Sequence, residues 1–124
     1  MIGTDMTVLG PIIAEKFGLE YSRTECLEEA IEHLRDGGMI ISHVGHPEGG
    51  VGLFTTREHY ITLVSTDGKE FCVLDPSYKP DKFDLPERIG KVNASNAPYL
   101  YCDVNILHNE TRGSRYHLFK GKKK

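Results

Sequence analysis

The stretch "REHYITLVSTDGKEFCVLDPSY", residues 57–78, decides the fold. Two apolar runs, 59–65 and 69–75, flank the turn pair Asp67-Gly68. β-Branched and aromatic residues dominate both, which predicts an antiparallel hairpin. Two loops are open: a two-residue Asp67-Gly68 turn would set Tyr60 opposite Asp75, and the preferred three-residue loop, Thr66-Asp67-Gly68 with Gly68 in the left-handed position of a bulged turn, sets the expected register. In it Ser65 faces Lys69, Leu63 faces Phe71, Ile61 faces Val73 and His59 faces Asp75. Directly opposed residues have Cβ atoms about 4.5–5.5 Å apart, so an imidazole and a carboxylate would meet at the open end of the hairpin. A carboxylate that accepts the proton of one ring nitrogen fixes the tautomer and leaves the other nitrogen as a base. The plainer reading is a polar pair that satisfies itself at a strand end.

Outward from the hairpin the pattern is mixed. "SRTECLEEAIEHLRDGG", residues 22–38, predicts a helix over 24–36. Ser22 or Thr24 caps it, acids crowd its first turn, and Gly37 ends it. Leu27, Ala30, Ile31 and Leu34 form its buried stripe. "MIISHV", 39–44, reads as a short buried strand, followed by the glycine-rich loop "GHPEGGVGLFTTRE". An earlier helix is expected over residues 4–17, with Thr4 or Asp5 as cap, Gly18 as terminator and Val8, Leu9, Ile12, Ile13 and Phe17 at helical spacing. Pro11 implies a start near Gly10-Pro11 or a preceding turn. Downstream, "DKFDLPERIGKV" (81–92) reads as a short helix entered through Pro86. "YLYCDVNIL" and "RYHLF" read as strands around the turn "HNETRGS". The expected fold is α+β: two N-terminal helices and an antiparallel sheet of about five strands. Strands 59–65 and 69–75 are expected to be central, with the 24–36 helix on one face.

Composition bounds the function. The chain has 124 residues, 39% hydrophobic and 27% charged, which fits one globular domain. No apolar run approaches the ~20 residues of a membrane-spanning helix. No secretory signal is visible, so the chain as written reads as cytoplasmic. A net charge of −3 gives no global pull toward nucleic acid, and "KGKKK" at residues 120–124 reads as a solvated tail. Three cysteines, at 26, 72 and 102, show no CxxC spacing, which argues against a disulfide framework or a zinc site. His43, His46 and Glu48 lie on a strand end and a loop without a metal motif, so no metal is expected. Gly49, Gly50 and Gly52 lack the strand–loop–helix context of a phosphate cradle, and no cofactor is expected.

The stretch "EHYITLVSTDGKEFCVLDPSY" resembles the His-to-Asp hairpin of the bacteriocin-processing, double-glycine-leader cysteine peptidases, a branch of the papain-like superfamily. "GTDMTVLGPIIAEKFGLEY", "CLEEAIEHLRDGGMIISHVG" and "KFDLPERI" resemble the family's flanking segments, so the likeness covers roughly residues 3–120. It implies a partial papain-like (cysteine proteinase) fold over a single 1–124 domain, a peptide substrate or ligand, and thiol-dependent hydrolysis. His59 would be the general base and Asp75 its orienting partner. Arg57-Glu58 precede His59 where the family often has small residues. The family's nucleophilic cysteine and oxyanion glutamine precede the "GT" opening, and this sequence contains no glutamine. The expectation is therefore a domain lacking its nucleophile segment, inactive alone and self-associating through the surface near His59. Cys26, at a helix N-terminus but ringed by Glu25, Glu28 and Glu29, is a weak substitute nucleophile. Cys72 and Cys102 read as core. The alternatives are a non-catalytic peptide-binding module and an acyltransferase on the same fold.

Overall fold

The structure, a computed structural model, describes residues 6–45, 52, 54, 59–76, 78–84, 86 and 88–121, without the side chains of 6, 7, 59 and 110–115. Within that range the chain is α+β, built on one antiparallel sheet. The elements are α1 (Met6–Phe17), β1 (Leu19–Thr24), α2 (Leu27–Arg35), β2 (Met39–Val44), β3 (His59–Thr66), β4 (Glu70–Leu74), β5 (Val92–Asn96), β6 (Tyr99–Asp103), α3 (Val104–Glu110) and β7 (Thr111–Gly121). The seven strands run in the order β1-β7-β2-β3-β4-β6-β5. The expected hairpin strands, β3 and β4, are both interior and pair antiparallel.

Strand alternation divides the apolar residues between two faces. Ile40, Leu63, Val73 and Leu100 share one cluster with Ala30 and Leu34 of α2 and Leu107 of α3. Ile41, Tyr60, Tyr21 and Phe119 form a second with Leu9, Ile13 and Ala14 of α1. The helices α2 and α3 thus cover one face and α1 the other. The predicted stripe of α2 is the one that packs: Ala30 and Leu34 are buried, with Leu27 and Ile31 against them. On α1 the apolar residues at helical spacing divide: Leu9 and Ile13 pack with Ala14 on the sheet, while Val8 and Ile12 are 61% and 58% exposed. Pro11 stands inside α1, exposed, where its missing N–H costs one helical bond.

Several expectations are corrected. Among the described residues the sheet has seven strands, not about five, because β1 and β5 are strands. β1 pairs with β7 from Leu19↔Gly121 to Thr24↔Tyr116, so Ser22 belongs to a strand and Cys26 is the N-cap of α2. Thr24 still serves that terminus: its Oγ1 accepts from Cys26 N at 3.0 Å and donates to Glu29 Oε1. "YLYCDVNIL" is a strand only to Asp103. There the Asp103 carboxylate accepts from Asn105 N (2.8 Å) and Ile106 N (3.2 Å), which caps α3. Residues 81–92 are turns up to Lys91, not a helix, among the described positions. Separate i→i+3 bonds, Lys82 N to Lys79 O and Lys91 N to Arg88 O, replace the helical ladder.

The tip of the hairpin is a four-residue connection, Asp67 to Glu70, between the paired Thr66 and Phe71. Gly68 has φ 93°, a conformation that side chains oppose. Asp67 Oδ1 accepts from Lys69 N and Glu70 N, both at 2.8 Å. Those amides, Glu70 first, hold the carboxyl below its ordinary range. A carboxylate depressed in the folded state stabilises above its unfolded pKa of about 3.9 and loses that contribution as pH falls through the folded value. Stability measured by urea titration should therefore fall more steeply below about pH 4 in the wild type than in Asp67→Asn.

Candidate functional site

The open end of the hairpin carries both predicted site residues, but not in the predicted register. Leu63 pairs with Val73 and Thr62 with Leu74, with an irregularity between Leu63 and Ser65. A four-residue connection and a bulge at Val64 replace the expected three-residue loop and unbroken ladder, and together they shift the pairing by two residues. Continued one step, this register sets Asp75 opposite Ile61. Position 59 becomes its diagonal neighbour, at about 7–8 Å between Cα atoms, within reach of long side chains. The His59 backbone pairs with Val44. Its ring lies outside the described residues, so the expected His59–Asp75 hydrogen bond does too.

Asp75 follows β4 and is buried. Its carbonyl accepts from Tyr78 N at 3.0 Å, which turns the chain back over the end of the sheet. Its carboxylate takes a hydrogen bond and ion pair from Lys82 Nζ. The two side chains are 0% and 9% exposed, so this pair is shielded from water. Arg88, 5% exposed, locks the arrangement from behind. Its Nε donates to the Gly52 carbonyl at 2.8 Å and its Nη1 donates to the Lys82 carbonyl at 2.9 Å. Apolar contacts follow the same path: Phe83 meets Phe54 edge-on at 5.8 Å and stacks on Tyr78 at 6.2 Å. A continuous polar chain thus runs from Gly52 through Arg88 and Lys82 to Asp75, and it ties the glycine-rich loop to the turns after β4.

Lys82 and Arg88 were not singled out in the sequence. The available signal was thin: two basic residues in a segment punctuated by Pro80, Pro86 and Gly90. Nothing local says that such residues turn inward.

The other candidates sort plainly. Cys72 and Cys102 are buried, and Cys26 is exposed. His43 stacks on its cross-strand neighbour Tyr60, with ring centroids 4.6 Å apart. His46, Glu48, Gly49 and Gly50 lie outside the described residues. Among the described residues, no group of three or more His, Cys, Asp or Glu side chains is placed to hold a metal ion. On the paired strands β2 and β7, Ser42 and Tyr116 are fully buried partners, and the Tyr116 hydroxyl shares a 2.7 Å hydrogen bond with His108 Nδ1. Among the described residues, no helix is long and apolar enough to cross a membrane. In comparisons with known proteins, the chain matches no family model, no curated protein and no solved structure.

Proposed function

We propose that this chain carries the base-bearing part of a thiol-dependent peptidase site on a papain-like fold, of the bacteriocin-processing type, with a peptide as substrate. His59 is the general base and Asp75 its orienting carboxylate. The observation that carries this reading is their common end of the sheet: position 59 opens β3, and the buried Asp75 follows β4 on the adjoining antiparallel strand. In such a site the imidazole takes the thiol proton, the thiolate attacks the peptide carbonyl, and the C–N bond breaks as the imidazolium protonates the departing amine. Water, giving its proton to the imidazole, then releases the acyl group as a carboxylic acid, and the thiol is restored. None of the chain's own cysteines is assigned as nucleophile. Two are buried, and Cys26 sits among Glu25, Glu28 and Glu29, whose charges oppose a thiolate.

A second reading, a non-catalytic peptide-binding module, is favoured by Lys82. A carboxylate already compensated by an ammonium group stabilises an imidazolium less. An NMR titration of the His59 ring protons tests the base assignment. Asp75→Asn keeps the shape and removes the charge, so the His59 pKa should drop relative to the wild type. Coincident curves would mean that the two residues are not a pair. Peptide binding by the full chain without hydrolysis supports the module.

A further inference from the structure

The ion pair on Asp75 is built rather than incidental. Lys82 stands seven residues beyond Asp75, on turns that lack a helical ladder of their own. Its backbone is held by the Arg88 guanidinium, which bridges the Lys82 and Gly52 carbonyls from a buried position. The packing of Phe83 against Phe54 and Tyr78 closes the same segment. Four contacts therefore converge to deliver one ammonium group to one buried carboxylate.

We infer that Lys82 is a positioning residue that sets how much of the Asp75 charge reaches His59, and that Arg88 holds Lys82 at that task. This rests on the reading of His59 as base and Asp75 as its partner. A positive charge next to Asp75 lowers the field that stabilises an imidazolium and so keeps the base weaker than a lone Asp75 would make it. Among the described residues, Lys82 pairs with the carboxylate and Arg88 bonds to the Lys82 carbonyl, while Lys79, Asp81, Asp84 and Lys91 of the same segment are exposed.

The test is an NMR titration of His59 in four forms of the full chain: wild type, Lys82→Met, Lys82→Arg and Asp75→Asn. Lys82→Met should raise the His59 pKa by about one unit, a tenfold change in proton affinity, and Lys82→Arg should restore the wild-type value. An unchanged value in Lys82→Met together with a lowered one in Asp75→Asn overturns the role of Lys82 and leaves the base assignment standing. Unchanged values in both overturn the base assignment and this inference with it. Should Lys82→Met not fold, reductive methylation of the wild type decides. Lys82 should react well after the exposed Lys79 and Lys91, and reaction at their rate overturns the inference.

Discussion

Replacing Lys82 by methionine is expected to destabilise the fold by about 3–5 kcal/mol, because it takes the Lys82 ammonium away from a buried carboxylate. For a domain whose total stability is on the order of 5–15 kcal/mol, that is a large share. The loss should be conditional. Removing both charges at once, Lys82→Met with Asp75→Leu, relieves the stranded charge and should recover most of it, since apolar replacements of buried ion pairs are commonly near neutral. Urea denaturation of the two single variants and the double variant measures the coupling. A single-variant loss below about 1 kcal/mol, the scale of a solvated surface pair, would show that water reaches the pair.

Phe54→Ala should be comparably severe, at about 3–5 kcal/mol, because the ring is 1% exposed and its removal opens a cavity against Phe83. Position in the fold makes this substitution informative. Phe54 anchors the loop whose Gly52 carbonyl receives Arg88, so losing it should loosen the turns that carry Lys82 as well. Amide exchange should rise across residues 78–91 before it rises in β3 and β4. Ile89→Ala, in the same turns but 63% exposed, is the control and should stay within about 0.5 kcal/mol of wild type. Equal losses in the two variants would mean that Phe54 does not anchor this end of the sheet.

Features with a local cause were legible in the sequence. The apolar runs around Asp67-Gly68 specified an antiparallel pair, and their two-sided apolar character specified interior strands. The stripe Leu27–Ala30–Ile31–Leu34 identified the buried side of α2, and helix-stop glycines appear with positive φ at Gly18 and Gly37. Features whose cause is distant were not legible. "LEYSRT" becomes β1 because β7 lies beside it, and a six-residue stretch does not announce a partner at the other end of the chain. The register depended on a four-residue connection at the tip and one extra residue at Val64, neither of which a residue type marks. On α1, helical spacing named the apolar positions. Which of them face inward was decided by the side of the helix that meets Tyr21, Ile41 and Phe119. Asp75 stood out in the sequence because it closes the second apolar run of the hairpin. Lys82 and Arg88 escaped because charged residues in such turns ordinarily face water; the Asp75 carboxylate draws Lys82 inward, and the Gly52 and Lys82 carbonyls hold Arg88.

The place of β7 has a consequence for how the molecule is made. The last strand of the chain is inserted between β1 and β2, two of its earliest elements. As synthesis proceeds, α1, β1 and α2 emerge long before the residues that join β1 to the rest of the sheet. Until Thr111–Gly121 leaves the ribosome, β1 has no sheet neighbour and one side of β2 stays open. Pairing over such sequence separation is entropically slow, and unpaired strand edges invite intermolecular addition meanwhile. The nascent chain thus spends most of its synthesis with two receptive edges. The eleven residues of β7 close both in one step.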